Sequence, residues 1–121
     1  MTITIAEIKT AEDELERARV VAREFAAEIR QHFGTRLKAV RLYGSAARGD
    51  WSAESDIDVL VLLDRVASED EDWLIHRAFE LGLGKSGLLL QPLFMTESDF
   101  VELLTRERLF ALEVQREGLD L

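Results

Sequence analysis

The run Gly44-Ser45-Ala46-Ala47-Arg48-Gly49-Asp50-Trp51-Ser52-Ala53-Glu54-Ser55-Asp56-Ile57-Asp58 decides how this chain is read. A small, flexible Gly-Ser pair closes one apolar segment, 36–43. After ten further residues, two aspartates separated by one residue open a second apolar segment, 56–63. Alternation puts Asp56, Asp58, Leu60 and Leu62 on one face of that strand and Ile57, Val59, Val61 and Leu63 on the other. Apart from its aspartates the strand is apolar on both faces, as a central strand is. Aspartate is poor in strands. Two of them beside such a run are costly to desolvate without a cation. Taken singly, Asp56 and Asp58 also fit a solvated strand start, and Gly44-Ser45 an ordinary turn. The full arrangement, with a strand on each side, favours a site that joins a nucleoside triphosphate to its metal.

The chemistry follows from the residue types. Magnesium takes one or two carboxylates and fills its shell with substrate phosphates and water. Asp56 and Asp58 share a strand face with their Cβ atoms roughly 7 Å apart, enough for one or two metals. Gly44 lets the backbone approach a phosphate closely. The Ser45 hydroxyl and the amides after it can donate to phosphate oxygens. Arg48 can clamp a phosphate through two parallel hydrogen bonds. Phosphoryl chemistry depends mainly on positioning and charge neutralisation, which these groups supply.

Outward from the motif, residues 6–33 read as a long helix, with Ile8, Ala11, Leu15, Ala18, Ala22, Phe25, Ile29 and Phe33 at steps of three and four. Gly34 is its expected stop. Segment 36–43 is a strand, 45–48 a short helix, and 50–55 a polar loop carrying Trp51. That Trp51 either covers the sheet or stacks on a base or partner. After the strand 56–63, Ser68 is the expected N-cap of a helix to about Leu81, with Glu69, Asp70 and Glu71 in its first turn. Residues 82–87 read as a loop. Its Gly84-Lys85-Ser86 is no Walker loop, because the position five before Gly84 is Phe79, inside a helix, and a strand follows. Residues 88–95 form a third strand, placed at an edge or bulged by Pro92. Thr96 or Ser98 caps a last helical region that Gly118 ends, with Phe100, Leu103, Leu104, Phe110, Leu112 and Val114 as core candidates. Trp73 and Phe79 join them by spacing. The order is helix, strand, strand, helix, strand, helix. It defines an α/β or α+β sandwich, a small mixed β-sheet flanked by helices, as one domain over 1–121.

Composition narrows the function classes. The 121 residues suffice for one hydrophobic core. There is no cysteine, which excludes disulfides and thiolate metal sites. Two histidines, His32 and His76, are too few for a histidine-based zinc centre. The net charge of −9 argues against a nucleic-acid binder and fits small nucleotides held through metal, or a basic protein partner. Arg36, Lys38, Arg41 and Arg48 lie near the motif, and solvated surface plus phosphate contacts accounts for them before a polynucleotide does. No apolar run has membrane-span length. The first residues turn acidic at once, unlike a secretory signal. The expected location is the cytoplasm.

Gly44-Ser45, ten residues, and Asp56-Ile57-Asp58, together with Ala46-Ala47-Arg48-Gly49-Asp50 and Ser55, resemble the signature of the minimal nucleotidyltransferase (MNT) family. That family belongs to the polymerase-beta-like nucleotidyltransferase superfamily. The resemblance extends over nearly the whole chain and is more specific for the superfamily than for a substrate. It implies a polymerase-beta-like fold, ATP with Mg²⁺, and AMP transfer to a protein. It further implies an MntA-type antitoxin that binds and AMPylates a HEPN-domain toxin, in a hetero-complex or oligomer. Carried over, Gly44 and Ser45 bind the triphosphate, and Asp56 and Asp58 are the catalytic metal ligands; the Arg48 phosphate contact comes from its chemistry instead.

The chain departs from the superfamily at one point. A third carboxylate, often the base for the attacking hydroxyl, belongs on the neighbouring strand. Here that strand reads Leu88-Leu89-Leu90-Gln91-Pro92-Leu93-Phe94-Met95, with Leu89 near the expected position and Gln91 on its face. Leucine neither ligates metal nor accepts a proton. Two readings therefore stand: an adenylyltransferase, and a weakened nucleotidyltransferase fold that neutralises its partner by contact. A third, modification of a small molecule in the manner of aminoglycoside nucleotidyltransferases, normally needs a further domain or dimer partner for the acceptor.

Overall fold

The computed structural model describes residues 2–106 and 108–121. Helix α1 spans Ile5–Phe33; the Thr4 hydroxyl caps it by accepting from the Glu7 amide at 3.1 Å. Gly34 stops it with positive φ, as the sequence suggests. Its buried stripe begins only at Ala18 and runs through Val21, Ala22, Phe25, Ala26 and Ile29 to Phe33. Ile8, on the same periodic stripe, is exposed. The helix outruns the sheet it packs on, so periodicity alone overestimates its contact.

Strand β1 (Leu37–Tyr43) leads through Gly44 into the one-turn helix α2 (Ser45–Arg48). Strand β2 (Ile57–Leu63) is followed by α3 (Ser68–Phe79) and then β3 (Leu90–Thr96). Helices α4 (Glu97–Thr105) and α5 (Leu109–Glu117) precede a two-residue strand β4 (Leu119–Asp120). The sheet order is β3-β2-β1-β4. β1 is antiparallel to both β2 and β4, and β3 is parallel to β2 across the α3 crossover. Pro92 thus sits on an edge strand, as its missing donor requires. β2 is central: Ile57, Val59, Val61 and Leu63 face a core built with α1 and α3, while Leu60 and Leu62 face a second one built with Phe100 of α4 and Ala111 and Val114 of α5.

Four expectations need correction. Ser68 opens α3 but does not cap it; Ala67 holds the cap position, and the Asp70 carboxylate reaches back to its amide at 2.9 Å. Residues 82–87 are not a free loop, because α3 continues as a π-helical turn over Glu80–Ser86. Its Ser86 hydroxyl donates to the Leu81 carbonyl at 2.9 Å. Phe79 is not core but faces solvent. β4 carries too few residues to show any periodicity and exists only by pairing with Arg41 and Leu42 of β1. Of the alternative caps for α4, Thr96 is the one used, accepting from the Asp99 amide at 3.0 Å.

Most of the basic residues around the motif hold the fold together. Arg41 pairs with Asp120 and donates to the Gly118 carbonyl at 2.8 Å. Arg36 makes two hydrogen bonds to Asp70, at 2.7 and 3.0 Å, and one to Asp64 at 3.2 Å. Asp70 is only 4% exposed, and its Arg36 bonds hold its pKa down to about 2. Because the folded value lies below the unfolded one, this stabilisation is complete above about pH 4 and disappears as pH falls through about 2. Asp70→Asn is therefore expected to lose about 1–2 kcal/mol at neutral pH. Urea unfolding at several pH values should show the gap between the two proteins closing in acid.

Candidate active site

The geometry of the site starts from one glycine. Gly44 leaves β1 with φ 71 and ψ −154, a backbone region open essentially to glycine alone. A Cβ built there would run into the Asp58 carboxylate. The strand end and the aspartate are thus in direct apposition, and register explains it: Tyr43 pairs with Asp58 across the antiparallel β1–β2 ladder. After Gly44 the chain turns into α2, whose hydrogen bonds begin with the Ala47 and Arg48 amides on the Gly44 carbonyl, both 3.1 Å. The Ser45 and Ala46 amides precede the first helical bond.

Two further side chains fix the motif in place. Arg19 of α1 donates from Nε to the Ala46 carbonyl at 2.9 Å and from Nη2 to the Ala47 carbonyl at 3.2 Å, locking α2 against α1. Sequence reasoning missed this residue, since nothing distinguishes it among the arginines of a charged helix. Trp51 is buried, and its indole Nε1 donates to the Asp56 carbonyl at 3.1 Å. It covers the sheet and pins the approach to β2, the plainer of its two expected roles.

Asp58 is half-buried and Asp56 exposed. Burial, with the neighbouring Asp56 charge second, pushes the Asp58 pKa up; Arg48 draws it back in part. Burial and the Asp58 charge also push the Tyr43 phenol up to about 12, and its ring stands edge-on to Phe110 at 5.4 Å. Asp56 and Asp58 offer carboxylate oxygens, the ligand type magnesium takes one or two of, so these two residues would hold it and the donor set fits. Among the described residues no cluster of three or more potential ligands of the His, Cys, Asp and Glu types occurs. The third position is visible in the register: Gln91 pairs with Asp58, and Leu89, one step before the Ile57–Leu90 pair, stands beside Asp56. Arg48 lies close enough to act on Asp58 but is held between Asp50 at 3.5 Å and Glu117 at 3.4 Å.

Residues 22–114 match the Nucleotidyltransferase domain family, and the chain belongs to that family. Two curated relatives come from Methanocaldococcus jannaschii, each named a putative protein adenylyltransferase. One is 35% identical over 78 residues, 64% of this chain and 73% of the relative. The other is 28% identical over 94 residues, 78% of this chain and 95% of the relative. A crystal structure of a putative nucleotidyltransferase from Sulfolobus solfataricus aligns with 99% of this chain and 89% of its own, at 20% identity and a TM-score of 0.48.

Gly44→Ala tests the apposition. The methyl group must displace the Asp58 carboxylate and adopt a strained backbone, at a cost of about 2 kcal/mol in stability. Calorimetric titration with Mg²⁺-ATP is expected to show affinity reduced about tenfold or more, at a temperature where the variant remains folded.

Proposed function

We propose that this chain transfers the adenylyl group of Mg²⁺-ATP to a hydroxyl of a partner protein, and that it serves as the antitoxin of a HEPN-domain toxin. The observation that carries the transferase reading is the apposition of Gly44 to Asp58, with Asp56 beside it, in a member of the nucleotidyltransferase domain family. A protein as acceptor is supported by the names of the two archaeal relatives. The toxin partner rests on the resemblance of the motif to minimal nucleotidyltransferases, and the net charge of −9 suits a basic one. We read residues 1–121 as one cytoplasmic domain; among the described residues no helix is long and apolar enough to cross a membrane.

In this reading Gly44 and Ser45 receive the triphosphate, and Asp56 and Asp58 hold the magnesium. When bound, the ion neutralises charge on the phosphate oxygens. Arg48 exchanges Glu117 for a phosphate. The acceptor oxygen bonds to the α-phosphorus as the bond to the α–β bridging oxygen breaks, and pyrophosphate leaves with the electron pair. The hydroxyl proton passes to water, since neither Leu89 nor Gln91 is a base. The same two residues favour a second reading, a binding module that neutralises its partner by contact alone.

Intact mass of the neighbouring gene's product, after incubation with this protein, ATP and Mg²⁺, separates the readings. Gain of whole AMP units establishes the transferase. A stable complex without mass change establishes the binding module.

A further inference from the structure

The outer edge of β3 and the adjoining side of α3 enclose a groove of about 370 Å³, lined by Ile75, Phe79, Leu89, Gln91, Pro92 and Phe94 among others. Phe79 is 62% exposed, Ile75 53% and Leu89 39%. Large apolar side chains concentrated in one concave strip mark an interaction surface more often than scattered ones do. Leu89 and Gln91, the neighbours of Asp56 and Asp58 in the β2–β3 register, also line the groove, which places one end of it at the same end of the sheet.

The edge itself tells what can lie there. The Ile57 amide donates to the Leu89 carbonyl at 2.8 Å. In a parallel ladder this turns the amides of Gln91, Leu93 and Met95 toward β2, and positions 90, 92 and 94 outward. Pro92 has no donor to offer. At position 90, Gly82 closes over the strand: a Cβ there would come within 3.0 Å of the Leu90 nitrogen. An added strand would find no continuous row of donors, so the occupant docks through side chains. Charge chooses between occupants. Glu71 and Asp72, both exposed, lie one and two turns before Ile75 and Phe79 on the same helix. The cation nearest them on α3, Arg77, is engaged by Glu28 and Glu80. A second copy would set these acids, and a charge of −9, against their own kind.

We propose that this groove docks an amphipathic helix of the acceptor protein, apolar on one face and flanked by lysine or arginine, and so holds the acceptor near the end of the sheet that carries Asp56 and Asp58. The proposal rests on the protein-adenylyltransferase reading for the word acceptor, but its binding test does not. The probe is a fluorescent helix of about 18 residues, five turns, built from leucine and lysine at helical spacing, with a leucine–glutamate helix as control. Anisotropy should report saturable binding of the basic helix only, weakened about tenfold or more in Phe79→Asp and in Ile75→Asp. Both substitutions add negative charge, so mere electrostatic adsorption would tighten instead. Both positions are exposed, and circular dichroism with thermal melting verifies the fold of each variant. Unchanged or tighter binding in the variants overturns the groove, as does sedimentation showing that the groove seats a second copy. Groove-dependent binding by a chain that adenylylates no protein would leave the groove standing and remove the transferase reading.

Discussion

Asp58→Asn is expected to abolish transfer, lowering its rate about 1,000-fold or more, while raising the melting temperature in the absence of metal. The two effects share one cause. Burial and the Asp56 charge raise the Asp58 pKa in the folded chain. For a carboxyl group that direction means the folded state binds its proton more tightly than the unfolded state does. Stability is therefore lost as pH rises from the ordinary carboxylate range through the raised value. Asparagine removes that penalty together with the proposed metal ligand. Wild-type protein should regain the loss on adding Mg²⁺ with ATP, by mass action, and the variant should not. Thermal scans with and without Mg²⁺-ATP, run beside the mass assay, measure both. A variant that transfers AMP at the wild-type rate would remove Asp58 from the chemistry.

Leu89→Asp is expected to act in the opposite direction, raising transfer about 100-fold, the lower end of what a positioned base supplies. Leu89 is partly exposed at the mouth of β3 and stands beside Asp56, so an acid there costs little burial and faces the reacting end. It adds a third negative charge near Asp56 and Asp58, which should steepen the dependence on Mg²⁺. Gln91→Asp, opposite Asp58, is the control for position. Initial rates against Mg²⁺ concentration test the expectation. Tighter Mg²⁺ binding with no gain in rate would support the reading as a binding module.

Much of this arrangement is legible in the amino-acid sequence. The 2-residue period of 56–63 identifies the central strand, and Pro92 leaves the third strand an edge or a bulge, of which the sheet order selects the edge. Gly34 and Gly118 marked helix ends because a helix must satisfy its last carbonyls there. What failed lies where tertiary contacts outvote local pattern. Phe79 is apolar, yet α3 buries the side that carries Leu74 and Ala78, and Phe79 falls with Ile75 on the side that faces solvent. Ser68 has the better capping side chain, but Asp70, held by Arg36 from β1's approach, completes the cap one residue earlier. Arg19 acts on carbonyls 27 and 28 residues away, and no local signal encodes such a partner.

The sequence by itself determined the strand with two aspartates on one face, the glycine turn before it, and the absence of an acid at Leu89 and Gln91. Those are properties of residue type and period, and they survive any choice of neighbour. Only the tertiary structure decided that the Gly44 backbone touches the Asp58 carboxylate, that Gln91 is the residue opposite it, and that Phe79 opens a groove leading to the same end of the sheet. Each depends on strand order and register. These are set by how β1, β2 and β3 pair and by what α3 buries, and local sequence does not specify either.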